Sequence, residues 1–284
     1  MRGSVMAEPT PVGAPSRRGG QVLVVLGLLM LTGMVVMAVL GPLIAPFNPS
    51  ATSPDSLAGP SAAHWLGTDS IGRDVLSRLI IGGRTTLLIT FVAVTCAVAA
   101  GLVLGLLSGY VGGLPDELIM RALDVVFAFP VFLLAIAVVA ALGPTVPNLI
   151  LTIAIVYTPT MARVVRGPVL SVKRWDHVEA ARSVGVSEFA IATRHVLPLV
   201  VSPILVQTSL TLAQTIFTVT ALSFLGIGPP PPDPNWGGML SEARQFMELA
   251  PLTVIGPAGA IVFATLTFIV LANGLREMLD VGSR

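Results

Sequence analysis

The feature that most constrains this chain is a series of long apolar runs set between short polar connections. The first, QVLVVLGLLMLTGMVVMAVLGPLIAPF, carries no charged side chain. Its length of about 25 residues is what a helix needs to cross ~30 Å of hydrocarbon. Further runs read roughly as 85–109, 119–142, 147–168, 201–225 and 251–274. In lipid each backbone N–H and C=O must be satisfied within its own segment, so runs of this length are helices. Composition agrees: 54% of residues are hydrophobic and 11% charged, against about 45–50% and 25% in soluble domains. The expected fold is an all-α integral membrane protein with six transmembrane helices in a lipid bilayer.

Residues 1–20 are polar, rich in Pro, Gly and Ser, and end near Arg17 and Arg18, as expected of a disordered tail. Basic residues before an apolar core also mark signal peptides, but the 21–46 run is longer than their h-regions, so it is read as a retained helix. Residues 47–83 are mixed. Thr68, Asp69 or Ser70 can cap a short helix whose Val75, Leu76, Leu79 and Ile80 share one face, which predicts a helix lying at the membrane surface. The remainder is expected as a core over 84–275 and a short terminus over 276–284. Arg17, Arg18, Arg121, Arg163, Arg166, Lys173, Arg174, Arg182, Arg194 and Arg276 fall on one side of a six-span arrangement, and Arg73, Arg78, Arg84 and Arg244 on the other. The positive-inside rule then predicts both termini and the polar stretch 171–199 in the cytoplasm, with 47–83 outside.

That stretch contains DHVEAARSVGVSEFAIATRHVLP, Asp176 to Pro198. Asp176 and Glu179 have capping-box spacing. Gly185 is placed to end a first helix, Ser187 to cap a second, and Pro198 to break it before the next span. Two short helices joined by a glycine turn can be an ordinary solvated loop or a docking element for another protein.

Several classes of function lack their residues. Net charge is +1, which gives no field for nucleic acid. Cys96 is the sole cysteine, so there is neither an intrachain disulfide nor a cysteine cluster for a metal. A P-loop requires a lysine after a glycine-rich turn, and the only lysine, Lys173, is followed by Arg174 and Trp175. His64, His177 and His195 lack metal-ligand spacing. No catalytic residue or metal site is expected in the chain. A gradient-driven carrier would hold ionisable residues deep in its spans. Asp124 near one membrane face is the chief candidate, and a local i,i+3 pair with Arg121 is the preferred account of it.

EAARSVGVSEFAIATRHVLP resembles the EAA motif of bacterial ABC importer permeases, through Glu179, Ala180, Ala181, Gly185, Val196, Leu197 and Pro198. HWLGTDSIGRDVLSRLIIGGRTTL (His64–Leu87) and LSFLGIGPPPPDPNWGGML (Leu222–Leu240) resemble segments of the peptide/nickel group, specifically its C-type permease subunit. Leu199 stands where an asparagine often follows the Leu-Pro, and the C-terminal ending is a looser version of the usual one. The resemblance implies a type I ABC importer transmembrane domain. It implies as partners a homologous second permease, two ATPase subunits or one fused pair, and an extracytoplasmic solute-binding protein that delivers di- or oligopeptides. ATP and Mg would be bound by the ATPases, not by this chain. Glu179, Ala180, Ala181, Gly185, His195, Leu197 and Pro198 would form the ATPase-coupling segment. Nickel or another small solute is the alternative cargo, and a self-sufficient secondary carrier the alternative class.

Three further patterns bear on mechanism. Gln207, Thr211, Gln214 and Thr218 fall within roughly a 60° arc of the fifth span, where they line a polar path or hydrogen-bond to neighbouring helices. On the path reading Leu210 and Phe217 point away from the arc. Ala97, Gly101, Gly105 and Gly109 form an i+4 row of small residues for close helix packing. Arg163 and Arg166 are expected to snorkel to the cytoplasmic surface. The outer loop GPPPPDPNWGG is either a rigid lid fragment or, as the family implies, a surface for the binding protein, with Pro231, Pro232, Asn235 and Trp236 as candidate contacts.

Overall fold

A computed structural model describes residues 17–280. Most of the expected N-terminal tail, and residues 281–284, lie outside the described residues. The helices are α1 (Arg17–Ile44), α2 (Val75–Val111), α3 (Gly113–Phe127), α4 (Val131–Leu142), α5 (Val146–Val172), α6 (Asp176–Ser183), α7 (Glu188–Ala190), α8 (Leu197–Phe224), α9 (Trp236–Ala243) and α10 (Leu252–Asp280), with a π-helical turn over Ile191–Val196. Among the described residues five helices are long and apolar enough to cross a membrane, and six crossings result if α3 and α4 together form one.

Proline and glycine positions explain where the spans depart from expectation. The third span is two helices bent by 88°. Pro130 has no N–H to donate and disfavours a helical Phe129, so the chain turns there. Pro198 has the opposite outcome. It lies in the first turn of α8, where its missing N–H breaks nothing. The π-turn before it shifts the ladder, with Leu197 N donating to Ala192 O. The helix therefore runs on from Glu188 to Phe224 rather than stopping at Pro198. The expected surface helix also merges into its neighbour. α2 starts at Asp74, whose Oδ2 accepts from Ser77 N at 2.8 Å, and continues for 37 residues, about 56 Å. Thr68, Asp69 and Ser70 precede this cap instead of supplying one.

The glycine row of α2 packs against α5. A Cβ on Gly105 would lie 2.4 Å from Ala162 O, and one on Gly101 2.3 Å from Met161 Cβ. Gly109 faces Val169 and the Arg166 carbonyl. Contacts that rise together along both helices make α2 and α5 parallel, so the bent α3–α4 pair carries the chain back between them. α1 and α10 are antiparallel, with Gly27 against Leu271 and Gly274 against Val24. One apolar cluster joins Met34, Val94, Ile216 and Phe268, and another joins Ile89, Ala135, Ile153 and Leu222.

One end of the bundle gathers Gly20, Tyr110, Lys173, the 176–196 segment and Glu277. The other gathers the loop after α1 and the loop around α9. There Arg73 bonds Asp69 Oδ2 (2.6 Å) and Glu242 Oε2 (2.5 Å), and Arg78 bonds the same Glu242 oxygen at 2.8 Å. Two buried arginines are thus neutralised by two half-buried carboxylates.

Candidate docking segment and translocation face

After α5 ends, Trp175 is the N-cap of α6, and it makes no side-chain cap bond. The expected Asp176–Glu179 capping box is therefore not formed. Asp176 is the first helical residue, and both carboxylates favour the helix N-terminus through its dipole. Gly185 adopts φ +82°, a left-handed conformation that closes α6, with Val186 N reaching back to Ala181 O. Ser187 caps the next turn as expected, its Oγ accepting from Ala190 N.

The segment has an inner and an outer face. Val178, Ile191 and Val196 are buried against Val165, Val169, Val172 and Val200. Outward lie Glu179, Ala180, Gly185 and Pro198, with Trp175 exposed and Val184 and Phe189 each 79% exposed. Ala181, His195 and Leu197 are half-buried. This is a polar helix pair anchored by its own apolar side that presents large apolar side chains away from the bundle.

A set of polar contacts ties the segment to the helices above it. Arg182 Nε donates to Glu188 Oε1 at 2.8 Å, and Tyr110 Oη donates to Glu188 Oε2. The Glu188 hydrogen bond raises the Arg182 guanidinium above its ordinary value. Lys173 Nζ donates to the Gly109 and Tyr110 carbonyls at 2.6 and 3.2 Å, and partial burial lowers its ammonium pKa. Nothing in the spacing of Tyr110 or Lys173 signals these roles, because their partners lie more than 60 residues away.

The arginines of α5 are paired with carboxylates of α3. Arg163 bonds Asp124 at 2.5 Å and lies over the Phe127 ring, and Arg166 holds Asp116 with two bonds of 2.6 Å. Asp124 thus pairs across helices rather than with Arg121, which pairs with Glu117.

The polar stripe divides. Thr211 and Thr218 are buried. Thr218 Oγ1 lies 2.9 Å from Tyr157 Oη, and Gln207 Nε2 is 3.4 Å from Thr211 Oγ1. Gln214 is exposed and Gln207 half-buried. Phe217, expected to point away from the open side, is 66% exposed. The open face of α8 is therefore rotated from the threonines toward Leu210, Gln214 and Phe217. Two hollows lie along it. One of about 640 Å³ is lined by Phe132, Phe217, Phe224 and Leu266, and one of about 500 Å³ by Ser202, Gln207, Leu210 and Arg276.

In the loop between α8 and α9, Pro231 and Pro232 are exposed, but Asn235 and Trp236 are buried. Asn235 caps α9 through Gly238 N, and Trp236 Nε1 donates to Leu79 O at 3.0 Å. Asn235 closes the start of α9 and Trp236 ties that helix to α2, so neither side chain is exposed. Gly82 and Gly83 make the space: a Cβ on Gly83 would sit 2.8 Å from the Trp236 ring.

Residues 101–284 match the family described as binding-protein-dependent transport system inner membrane component. Residues 21–60 match the N-terminal TM domain of oligopeptide transport permease C. The chain is similar to the dipeptide transport system permease protein DppC of Alkalihalophilus pseudofirmus, at 42% identity over 259 residues, 91% of this chain and 85% of that one. It is 47% identical over 222 residues to the glutathione transport system permease protein GsiD of Pectobacterium atrosepticum, covering 78% and 74% of the two chains. Among solved structures, the inward-facing MetNI methionine ABC transporter aligns with a TM-score of 0.58 over 72% of this chain and 96% of that chain, at 18% identity, a likeness of fold.

Proposed function

This chain belongs to the binding-protein-dependent transport system inner membrane components, and from that premise we propose that it is one of two permease subunits of an ATP-driven importer of di- and oligopeptides. The cargo is delivered by an extracytoplasmic solute-binding protein. A homologous permease supplies the other half of the path. Two ATPase subunits bind ATP and Mg and dock on the 176–198 segment. The chain sits in the plasma membrane with both termini and that segment in the cytoplasm. The observation that carries the reading is the outward face of the EAA segment, where Glu179, Ala180 and Gly185 are exposed beside Val184 and Phe189. Large apolar side chains on a polar helix pair beyond the membrane suit burial against a protein. The peptide cargo follows the names of the relatives.

Reconstitution tests it. Vesicles holding this chain, a homologous permease and the ATPases, supplied with the binding protein, are expected to accumulate labelled dipeptide only with ATP and Mg. Uptake by the chain alone down an ion gradient would overturn the reading in favour of a secondary carrier. Uptake of nickel but not dipeptide would replace the cargo.

The open face of α8 is proposed as this subunit's wall of the path. Single cysteines at Gln207, Leu210, Gln214 and Phe217 in a Cys96→Ala background are expected to react with a hydrophilic thiol reagent, with rates that change when ATP is trapped on the ATPases. Cysteines at the buried Thr211 and Thr218 are expected to react at least tenfold more slowly (roughly, a desolvation of ~1.4 kcal/mol). Equal rates at all six positions would rule out the rotated face.

A further inference from the structure

The 176–198 segment has two mechanical exits, and they differ in stiffness. One is covalent: the helix continues from Glu188 into α8. That route passes through six residues of π-helix, Ile191–Val196, directly before Pro198. A wide turn with i→i+5 bonding beside a residue that cannot donate is a place where a helix bends. The second exit is through side chains. Glu188 takes Arg182 of α6 on both carboxylate oxygens, Nε on Oε1 at 2.8 Å and Nη2 on Oε2 at 3.3 Å, and Oε2 also accepts from Tyr110 Oη, near the end of α2. Arg182 and Tyr110, from different elements, meet on this one carboxylate, so Glu188 spans from the segment to α2.

Beyond Tyr110 the route is stiff. Lys173, at the end of α5, donates to the carbonyls of Gly109 and Tyr110. Gly101, Gly105 and Gly109 bring α2 so near α5 that an added Cβ on any of them would lie within 3.0 Å of an α5 atom. A displacement of Tyr110 therefore moves α2 and α5 as one body.

We propose that Glu188 is a positioning residue that passes motion of the docking segment through Tyr110 into the α2–α5 pair, motion that the π-turn would otherwise absorb. This rests on the reading of 176–198 as the ATPase docking segment. The charge-assisted bonds are exposed in the isolated chain; an ATPase seated over Val184 and Phe189 would exclude water from their surroundings and strengthen them.

The test uses the complete reconstituted complex with Tyr110→Phe, Glu188→Gln and the double variant. Tyr110→Phe keeps the ring and removes only the donor. The expected result is unchanged copurification of the ATPases, basal ATP hydrolysis maintained in Tyr110→Phe, and dipeptide taken up per ATP reduced about tenfold, the factor one hydrogen bond to a charged group is worth. Because both residues act through one contact, the double variant should be no worse than Glu188→Gln alone. An unchanged ratio, fully additive losses, or loss of assembly in Tyr110→Phe would each overturn the proposal. Failure of the docking reading shows separately: ATPases that copurify equally with a Val184→Asp/Phe189→Asp variant would remove the premise, whatever the ratio does.

Discussion

Gly105→Val is expected to eliminate folded protein almost completely. The valine Cβ would lie 2.4 Å from Ala162 O and 2.7 Å from Val165 Cβ. The first neighbour is backbone inside a helix and cannot move aside without taking α5 with it. Ordinary overpacking costs about 1–3 kcal/mol; parting two helices along several turns costs more, and ~3 kcal/mol already shifts a folding ratio more than a hundredfold. The check is the yield of monodisperse chain in detergent, with Gly33→Val beside it. A Cβ at Gly33 meets nothing within 4 Å, so that variant should accumulate normally. Equal yields of the two would show that the close α2–α5 approach is not what holds the bundle.

Gly185→Val is expected to fail differently, with normal insertion and uptake lowered at least tenfold. A Cβ there meets nothing within 4 Å, so the bundle does not object. The difficulty is φ +82°, which costs an L-residue roughly 1–2 kcal/mol and a β-branched one more. The turn would relax to a negative φ and re-aim Val184 and Phe189 relative to Glu179. Gly185→Asn, which tolerates the left-handed region, should retain most uptake. If Asn and Val are equally inactive, the lost quantity is space against a partner rather than backbone conformation. Wild-type uptake in the valine variant would detach the turn from coupling altogether.

These two glycines also show what the sequence made legible. The i+4 row through Gly105 announced a packing face, but not that its partner is α5, parallel and more than 50 residues on. The turn at Gly185 could be read, because Gly185 and the Ser187 cap encode it locally within a few residues, but the start of α6 could not, since Trp175 and not Asp176 is its N-cap. Pro130 and Pro198 look alike in sequence, yet one bends a span by 88° and the other begins one; the difference lies in whether the preceding turn can widen. The stripe on α8 had the right spacing and the wrong heading, since a helical wheel fixes angles between residues but not the direction of the bundle. Thr218 is turned inward by Tyr157, a partner 61 residues earlier. Asn235 and Trp236 were misplaced for the same reason: loop composition suggests exposure, while the hole that receives Trp236 is made by Gly83.

The cluster of Arg73, Arg78, Asp69 and Glu242 also sets an order for making the protein. Glu242 follows Arg78 by 164 residues. At ~5–20 residues per second, roughly ten to thirty seconds of synthesis separate the two. Through that interval the start of α2 carries two arginines with Asp69 as their nearby countercharge, and the hollow for Trp236 is unfilled. The cap can close only when α9 arrives, after α8 is in place and before α10 is made. A nascent chain stopped short of α9 therefore carries two arginines that share the single carboxylate of Asp69, beside an unfilled hollow at Gly83.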